Sequence, residues 1–188
     1  MRSFVPSVRL ILTAVAIFAV PLTAAAQSAT EPHAVTVTPF LSAAFGTSDH
    51  LGKSMGLGVA VGYDLTTKLG FEGEIGHVFD VLGDDANVDW SLTNFSGNAV
   101  YNFRLPRVTP YATFGIGIER SSVDVKNPDP LADFGPSSTE VSYNFGGGVK
   151  YPITELFVAR GDVRRFQAND VAPDYWRLYG GLSWWIKR

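Results

Sequence analysis

From residue 35 onward the sequence alternates with period two in eight separate segments, and this pattern constrains the fold more than any single residue does. In "AVTVTPFLSAAF" one face is Val35, Val37, Pro39, Leu41, Ala43 and Phe45, and the other is Thr36, Thr38, Phe40, Ser42 and Ala44. Successive strand side chains point to opposite faces, so such a segment reads as a strand with one apolar face and one small or polar face. The same reading holds for "MGLGVAVGYDL", "LGFEGEIGHVF", "TNFSGNAVYNF", "TPYATFGIGIE", "VSYNFGGGVKY", "LFVARGDVRRF" and "YWRLYGGLSWWIK". No helical period competes with it. The upstream part of the fourth segment, Val88 to Thr93, has ambiguous parity, and a bulge is expected there.

The connections alternate as well. "TTK" (Thr66 to Lys68), "LPRV" (Leu105 to Val108) and "PITE" (Pro152 to Glu155) are short. Longer ones surround His50, span Asp80 to Asn87, run from Arg120 to Thr139 and span Ala168 to Pro173. The longest holds the Pro-, Asp- and Ser-rich "KNPDPLADFGPSS". Short turns at one end and long loops at the other predict an up-and-down barrel inserted from one side.

A soluble lipocalin-like barrel also has eight alternating strands, so the choice rests on what the two faces are made of. The polar face is mostly Gly, Ala, Ser, Thr and Asn with isolated charges, which suits the crowded interior of an eight-stranded barrel. The apolar face continues through all eight segments and in water would exceed any patch a soluble monomer exposes. In lipid it matches its solvent, and closure satisfies every backbone N–H and C=O. The rings fall into two belts. Tyr63, Tyr101, Phe103, Tyr151, Phe157 and Trp184 lie near the short-turn end, and Phe45, Phe79, Trp90 and Trp176 near the long-loop end, as at the two interfaces of a membrane. The core of a β-sandwich would not cluster its rings at strand ends.

The first residues belong to a different kind of segment. Arg2 and Arg9, the apolar run Leu10 to Val20 and the small residues before Gln27 have the layout of a secretory signal peptide cleaved after Ala26. The run is short for a membrane-spanning helix, which needs roughly 20 residues. Residues 1–26 are therefore expected to be removed, leaving 27–188 as one barrel domain. That removal takes the formal net charge from −3 to −5. No basic face invites nucleic acid, and an exported chain without cysteines must be held by closure and packing.

The segments "TPYATFGIGI", "YNFGGGVKY" and "YGGLSWWI" resemble those of the small eight-stranded outer-membrane barrels of the outer-membrane protein A and X type, over about Val35 to Lys187. The resemblance implies an all-β, closed, antiparallel up-and-down transmembrane β-barrel with short periplasmic turns and longer extracellular loops, located in the cell outer membrane. It also implies a closing strand read by the barrel-assembly machinery through Tyr179, Gly181, Trp184 and Ile186. Lys187 and Arg188 follow, where family members usually end on an aromatic residue. The chain stops at the barrel, so the peptidoglycan-binding domain of some relatives is not expected.

Parity points Glu72, Glu74, Lys150, Arg160, Asp162, Arg164 and Arg177 into the lumen. Buried charges persist only when paired and hydrogen-bonded, so an ion-pair network is expected, with a charged ligand or proton path as the alternative. Catalysis has little to stand on. His33 precedes the first strand, His50 lies in a loop, where pairing with Asp84 or Asp85 would need loops to converge, and His77 has lipid-facing parity with no serine beside it. Asp84 to Asp89 lacks a rigid metal-ligand pattern, and Gly146 to Gly148 are strand glycines with no helix following. The sequence thus predicts a non-enzymatic barrel in outer-membrane lipid, without cofactor or metal and monomeric, its lumen plugged by charged side chains. Its expected role is structural, in envelope integrity, or a surface role in which its loops meet lipopolysaccharide or partners. A narrow porin-like channel is the alternative, and a loop-sited hydrolase a distant third.

Overall fold

A computed structural model describes residues 28–46, 53–79, 88–125, 137–168 and 174–188. Eight strands run in chain order: β1 (Val35–Gly46), β2 (Lys53–Asp64), β3 (Leu69–Val78), β4 (Val88–Asn102), β5 (Thr109–Val125), β6 (Ser137–Pro152), β7 (Phe157–Ala168) and β8 (Tyr175–Lys187). Each pairs antiparallel with its neighbour, and β8 closes on β1. Closure leaves no open sheet edge along the shared height of the wall, the condition for a strand assembly to survive in hydrocarbon.

Burial follows parity. On β3, Gly70, Glu72, Glu74, Gly76 and Val78 are buried, while Leu69, Phe71, Gly73 and Ile75 are exposed. Leu41, Met55, Phe95, Phe114, Ile116 and Leu178 stand exposed on the outside of the other strands. Among the described residues no helix is long and apolar enough to cross a membrane; the spanning elements are strands.

Tight turns link strands at one end. Thr66 Oγ1 accepts from the backbone N–H groups of Lys68 and Leu69 in the β2–β3 turn, and Thr154 Oγ1 does the same for Leu156 and Phe157 in the β6–β7 turn. Residues 28–34 fold across this end. The Asp64 N–H donates to Ala34 O at 3.0 Å, Thr30 Oγ1 donates to Thr67 O at 3.0 Å, and Ala29, Ala34, Val158 and Trp185 form an apolar cluster there. His33 turns the segment at φ 63°, one of the few residue types that tolerates the left-handed region.

Three expectations are corrected. The connection assigned to Arg120–Thr139 is shorter, because β5 continues to Val125 and β6 starts at Ser137, the two pairing through Ser122↔Ser137. The upstream part of β4 carries no bulge: it pairs in unbroken register with β5 from Val88↔Val125 to Asn102↔Tyr111. The register shift falls instead between Val35 and Thr36 on the β1–β8 seam. Trp90, assigned to the lipid-facing belt, shares the inward parity of Leu92 and Asn94. It packs against a buried cluster of Ala44, Val78, Leu92, Phe166 and Tyr175, and its indole donates to Ser121 Oγ.

Candidate functional site

The lumen charges are placed by strand register. β3 and β7 lie four strands apart in a ring of eight, so they face each other across the full diameter. From β3 come Glu72 and Glu74; from β7 come Arg160, Asp162 and Arg164; β8 adds Arg177. Arg160 pairs with Glu72 through both of its terminal nitrogens. Arg164 donates to Glu72 Oε1 at 2.8 Å, to Glu74 Oε2 at 2.9 Å and to Asp162 Oδ2 at 2.9 Å. Arg177 pairs with Glu74 Oε1. Arg164 and Arg177 are direct cross-strand neighbours, an arrangement that repels. Glu74 resolves it by giving one oxygen to each guanidinium.

Three carboxylates and three guanidiniums thus form one cluster, each member at most 6 % exposed. Desolvating six charges is costly, and mutual pairing with hydrogen-bonded geometry is what offsets it. Tyrosines add further partners. Tyr111 Oη donates to Asp162 and accepts from Arg160 Nε at 2.7 Å, and Arg164 donates to Tyr179 Oη at 2.9 Å.

Aromatic rings occupy the space between the guanidiniums, a feature that parity alone did not predict. The Arg160 guanidinium lies 4.7 Å from the Tyr111 ring centroid, Arg177 lies 4.4 Å from Phe166 and 5.2 Å from Phe40, and Phe40 stacks on Tyr179 at 4.6 Å. A weakly hydrated planar cation gains from such faces where water is excluded. Register makes the room for Phe40. Its partner on β2 is Gly58 and its partner on β8 is Gly181, and a Cβ at Gly58 would strike the Phe40 ring. At Gly76 a Cβ would come within 2.8 Å of Arg177 Nη1.

Further inward charges stand apart from this cluster. Lys150 is half-buried, its ammonium 5.4 Å from the Tyr111 ring centroid, and it makes no ion pair among the described residues. It lines a small polar cavity with Asp64, Glu72, Arg160, Thr36 and Ser183, toward the short-turn end. Glu119, absent from the lumen charges named from the sequence, is buried near the long-loop end and accepts from Tyr175 Oη at 2.9 Å. Tyr175 stacks on Phe166 at 5.0 Å. The charged cluster therefore sits between two apolar clusters, one around Phe166 and Tyr175 and the other around Ala29 and Trp185.

The ring positions outside are as follows. Tyr101 and Phe103 meet edge to face at 5.1 Å, Phe157 and Trp184 lie 6.4 Å apart, and Tyr63, Tyr151 and Ile186 are exposed near the short-turn end. Phe45 and Phe79 are exposed toward the other end, where Trp176 lies under the Arg165 guanidinium at 5.6 Å. Of the closing-strand positions, Tyr179 and Gly181 face the lumen, while Trp184 and Ile186 face outward. His77 Nδ1 bonds Thr93 Oγ1 at 2.8 Å and its ring meets Phe79; His33 Nδ1 bonds Tyr63 Oη at 2.9 Å. His50, Asp84 and Asp85 lie outside the described residues.

No curated protein matches this chain. Among solved structures, the Neisserial surface protein A, NspA, superposes with TM-score 0.66 at 20% identity, covering 80% of this chain and 96% of that one. The N-terminal β-barrel domain of Pseudomonas aeruginosa OprF gives 0.56 at 21% identity, covering 84% and 100%. Ail, the attachment invasion locus protein of Yersinia pestis, gives 0.56 at 16% identity, covering 81% and 99%. These likenesses establish a shared fold. The model of the outer membrane protein beta-barrel domain matches residues 10–184, and the chain belongs to that family.

Proposed function

We propose that this protein is a closed, non-catalytic outer-membrane barrel that holds an interaction surface at its long-loop end and supports the envelope mechanically. The observation that carries the reading is the cluster of Glu72, Glu74, Asp162, Arg160, Arg164 and Arg177, with pairs spanning the diameter between β3 and β7. Eight strands enclose an interior that side chains can just fill, and here they fill it with paired charge between two apolar clusters. A hydrated ion meets no continuous path through such a plug. With the short turns toward the periplasm, the chain acts as a monomer, surrounded by outer-membrane lipid and lipopolysaccharide, after insertion by the barrel-assembly machinery through the β8 signal.

The outer end has its own chemistry. Ail is known in complex with the heparin analogue sucrose octasulfate. In this chain the long connections and adjoining strand ends carry Asp49, Asp80, Asp84, Asp85, Asp89, Asp124, Asp129, Asp133, Glu140, Asp170 and Asp174 against Lys53, Arg120, Lys126 and Arg165. That balance disfavours a polysulfated glycan and favours cationic partners or lipopolysaccharide bridged by divalent ions. One feature favours the porin-like alternative. Between Leu92 and Val100 on β4 and between Tyr111 and Glu119 on β5, the wall offers small groups to the lumen, among them Asn94, Ser96, Asn98 and Thr113, with Asn144 beside them on β6.

Single-channel recording on the refolded protein in planar bilayers separates the two readings. The plug requires little or no steady conductance in the wild type and more in Arg160→Ala, where one of the two bridges to Glu72 is cut. A stable, open, ion-selective wild-type channel overturns the plug and establishes the pore.

A further inference from the structure

Charge is segregated along the barrel axis. At the short-turn end the surface residues are Lys68, Arg104, Arg107, Lys187 and Arg188 against Glu31 and Glu155. Arg188 is engaged, lying 5.2 Å from the Trp185 ring centroid and 3.8 Å from Glu31 Oε1. Lys68, Arg104 and Arg107 are exposed, and among the described residues no side chain pairs with theirs.

These three share a location. Lys68 ends the β2–β3 turn and Arg104 and Arg107 stand in the β4–β5 turn. The Asn102 N–H donates to Lys68 O at 2.6 Å, and Leu69 pairs with Tyr101, so backbone contacts tie the two turns together. The same turns and strand ends expose Leu65, Leu69 and Leu105, next to the edge-to-face pair Tyr101 and Phe103. Unpaired cations beside an exposed ledge of leucines and rings match an amphiphile: phosphate against the guanidiniums and ammonium, glycerol and acyl chain against the ledge.

We propose that Lys68, Arg104 and Arg107, with the Tyr101–Phe103 ledge, form a binding site for the phosphate headgroup of an anionic phospholipid in the inner leaflet of the outer membrane. A soluble acidic peptide or a peptidoglycan strand would match the charge and leave the leucines and rings unused. The site rests on the membrane placement of the barrel and not on the closed lumen, so a conducting lumen would leave it standing.

Native mass spectrometry of the refolded protein in zwitterionic detergent tests it, with phosphatidylglycerol or phosphatidylcholine titrated in. Retention of phosphatidylglycerol at roughly tenfold lower concentration is expected for the wild type, and the preference should shrink as salt rises. The triple variant Lys68→Gln, Arg104→Gln, Arg107→Gln should lose it, while Arg120→Gln at the opposite end keeps it. If the triple variant does not refold, Arg104→Glu alone is read in the same way. Equal retention of the two lipids by the wild type overturns the site. So does an unchanged preference in the variant, or displacement of the lipid by inorganic phosphate or soluble peptidoglycan fragments at equal concentration.

Discussion

Arg164 and Arg177 are 0% exposed, while Leu41 is 65% and Met55 64% exposed, the reverse of the ordering in a soluble protein. Both sets come from strands with the same period-two pattern, and only the surroundings differ. Outside, hydrocarbon replaces water, so an apolar side chain needs no partner there and a charge has none. Inside, each charge is enclosed by its neighbours and must be satisfied by specific geometry. The lipid face is therefore tolerant in detail and strict in kind. The lumen is strict in detail.

The sharpest break of that contrast is Glu74→Ala. Glu74 gives one oxygen to Arg164 and the other to Arg177, and its loss leaves two adjacent buried guanidiniums short of a counter-charge. A loss of about 3–5 kcal/mol is expected, measured by urea titration of reversibly folded protein in lipid vesicles. Adding Arg177→Met should recover part of it, because the surplus cation is gone. Equal costs in the single and double variants would mean the cluster is not coupled.

On the lipid face the effect should depend on depth rather than on partners. Ile116 lies mid-strand between Gly97 and Tyr143 in register, whereas Val149 is one alternation from the Tyr151 belt. Ile116→Arg should cost roughly 2–4 kcal/mol and Val149→Arg less, since the penalty falls toward the interface. Equal costs in the same titration would contradict the assigned depths.

The strands, their parity and the inward charges were legible because a lipid-spanning strand of alternating solvent repeats one rule for its whole length. Where the chain leaves the membrane that rule lapses. Arg120, Ser121 and Ser122 are polar on both faces and read as loop, yet pairing with β4 and β6 keeps them in strand. Trp90 was misassigned for the same reason: Leu92 turns inward and Thr93 outward to His77, so apolar and polar no longer mark the faces there. The ring–guanidinium packing was hidden for another reason. Phe40 needs Gly58 on one side and Gly181 on the other, and register is not written in any single segment.

Gly58→Val tests that register-dependent fit with a middling effect. A branched side chain at Gly58 would have to displace the Phe40 ring, which stacks on Tyr179 and faces Arg177. Overpacking of this kind costs about 1–3 kcal/mol, and Phe40→Ala in the same chain should relieve part of it. A silent Gly58→Val would show the lumen to be looser than drawn.

The smallest effect should lie where neither solvent rule applies. Asp129 belongs to the connection between β5 and β6, outside the described residues, whose Pro-, Asp- and Ser-rich composition predicts a solvated loop. Reversing its charge in Asp129→Arg changes no membrane-facing group and no member of the ion-pair cluster. Stability should therefore move by no more than about 0.5 kcal/mol. The substitution still raises the net charge at the acidic end, so it probes that end's chemistry without touching the fold. Binding of a divalent-bridged lipopolysaccharide layer should weaken slightly while the urea midpoint stays in place. A large shift of the midpoint would mean that this connection packs into the barrel mouth, and the division between a strict lumen and a permissive outer end would have to be redrawn.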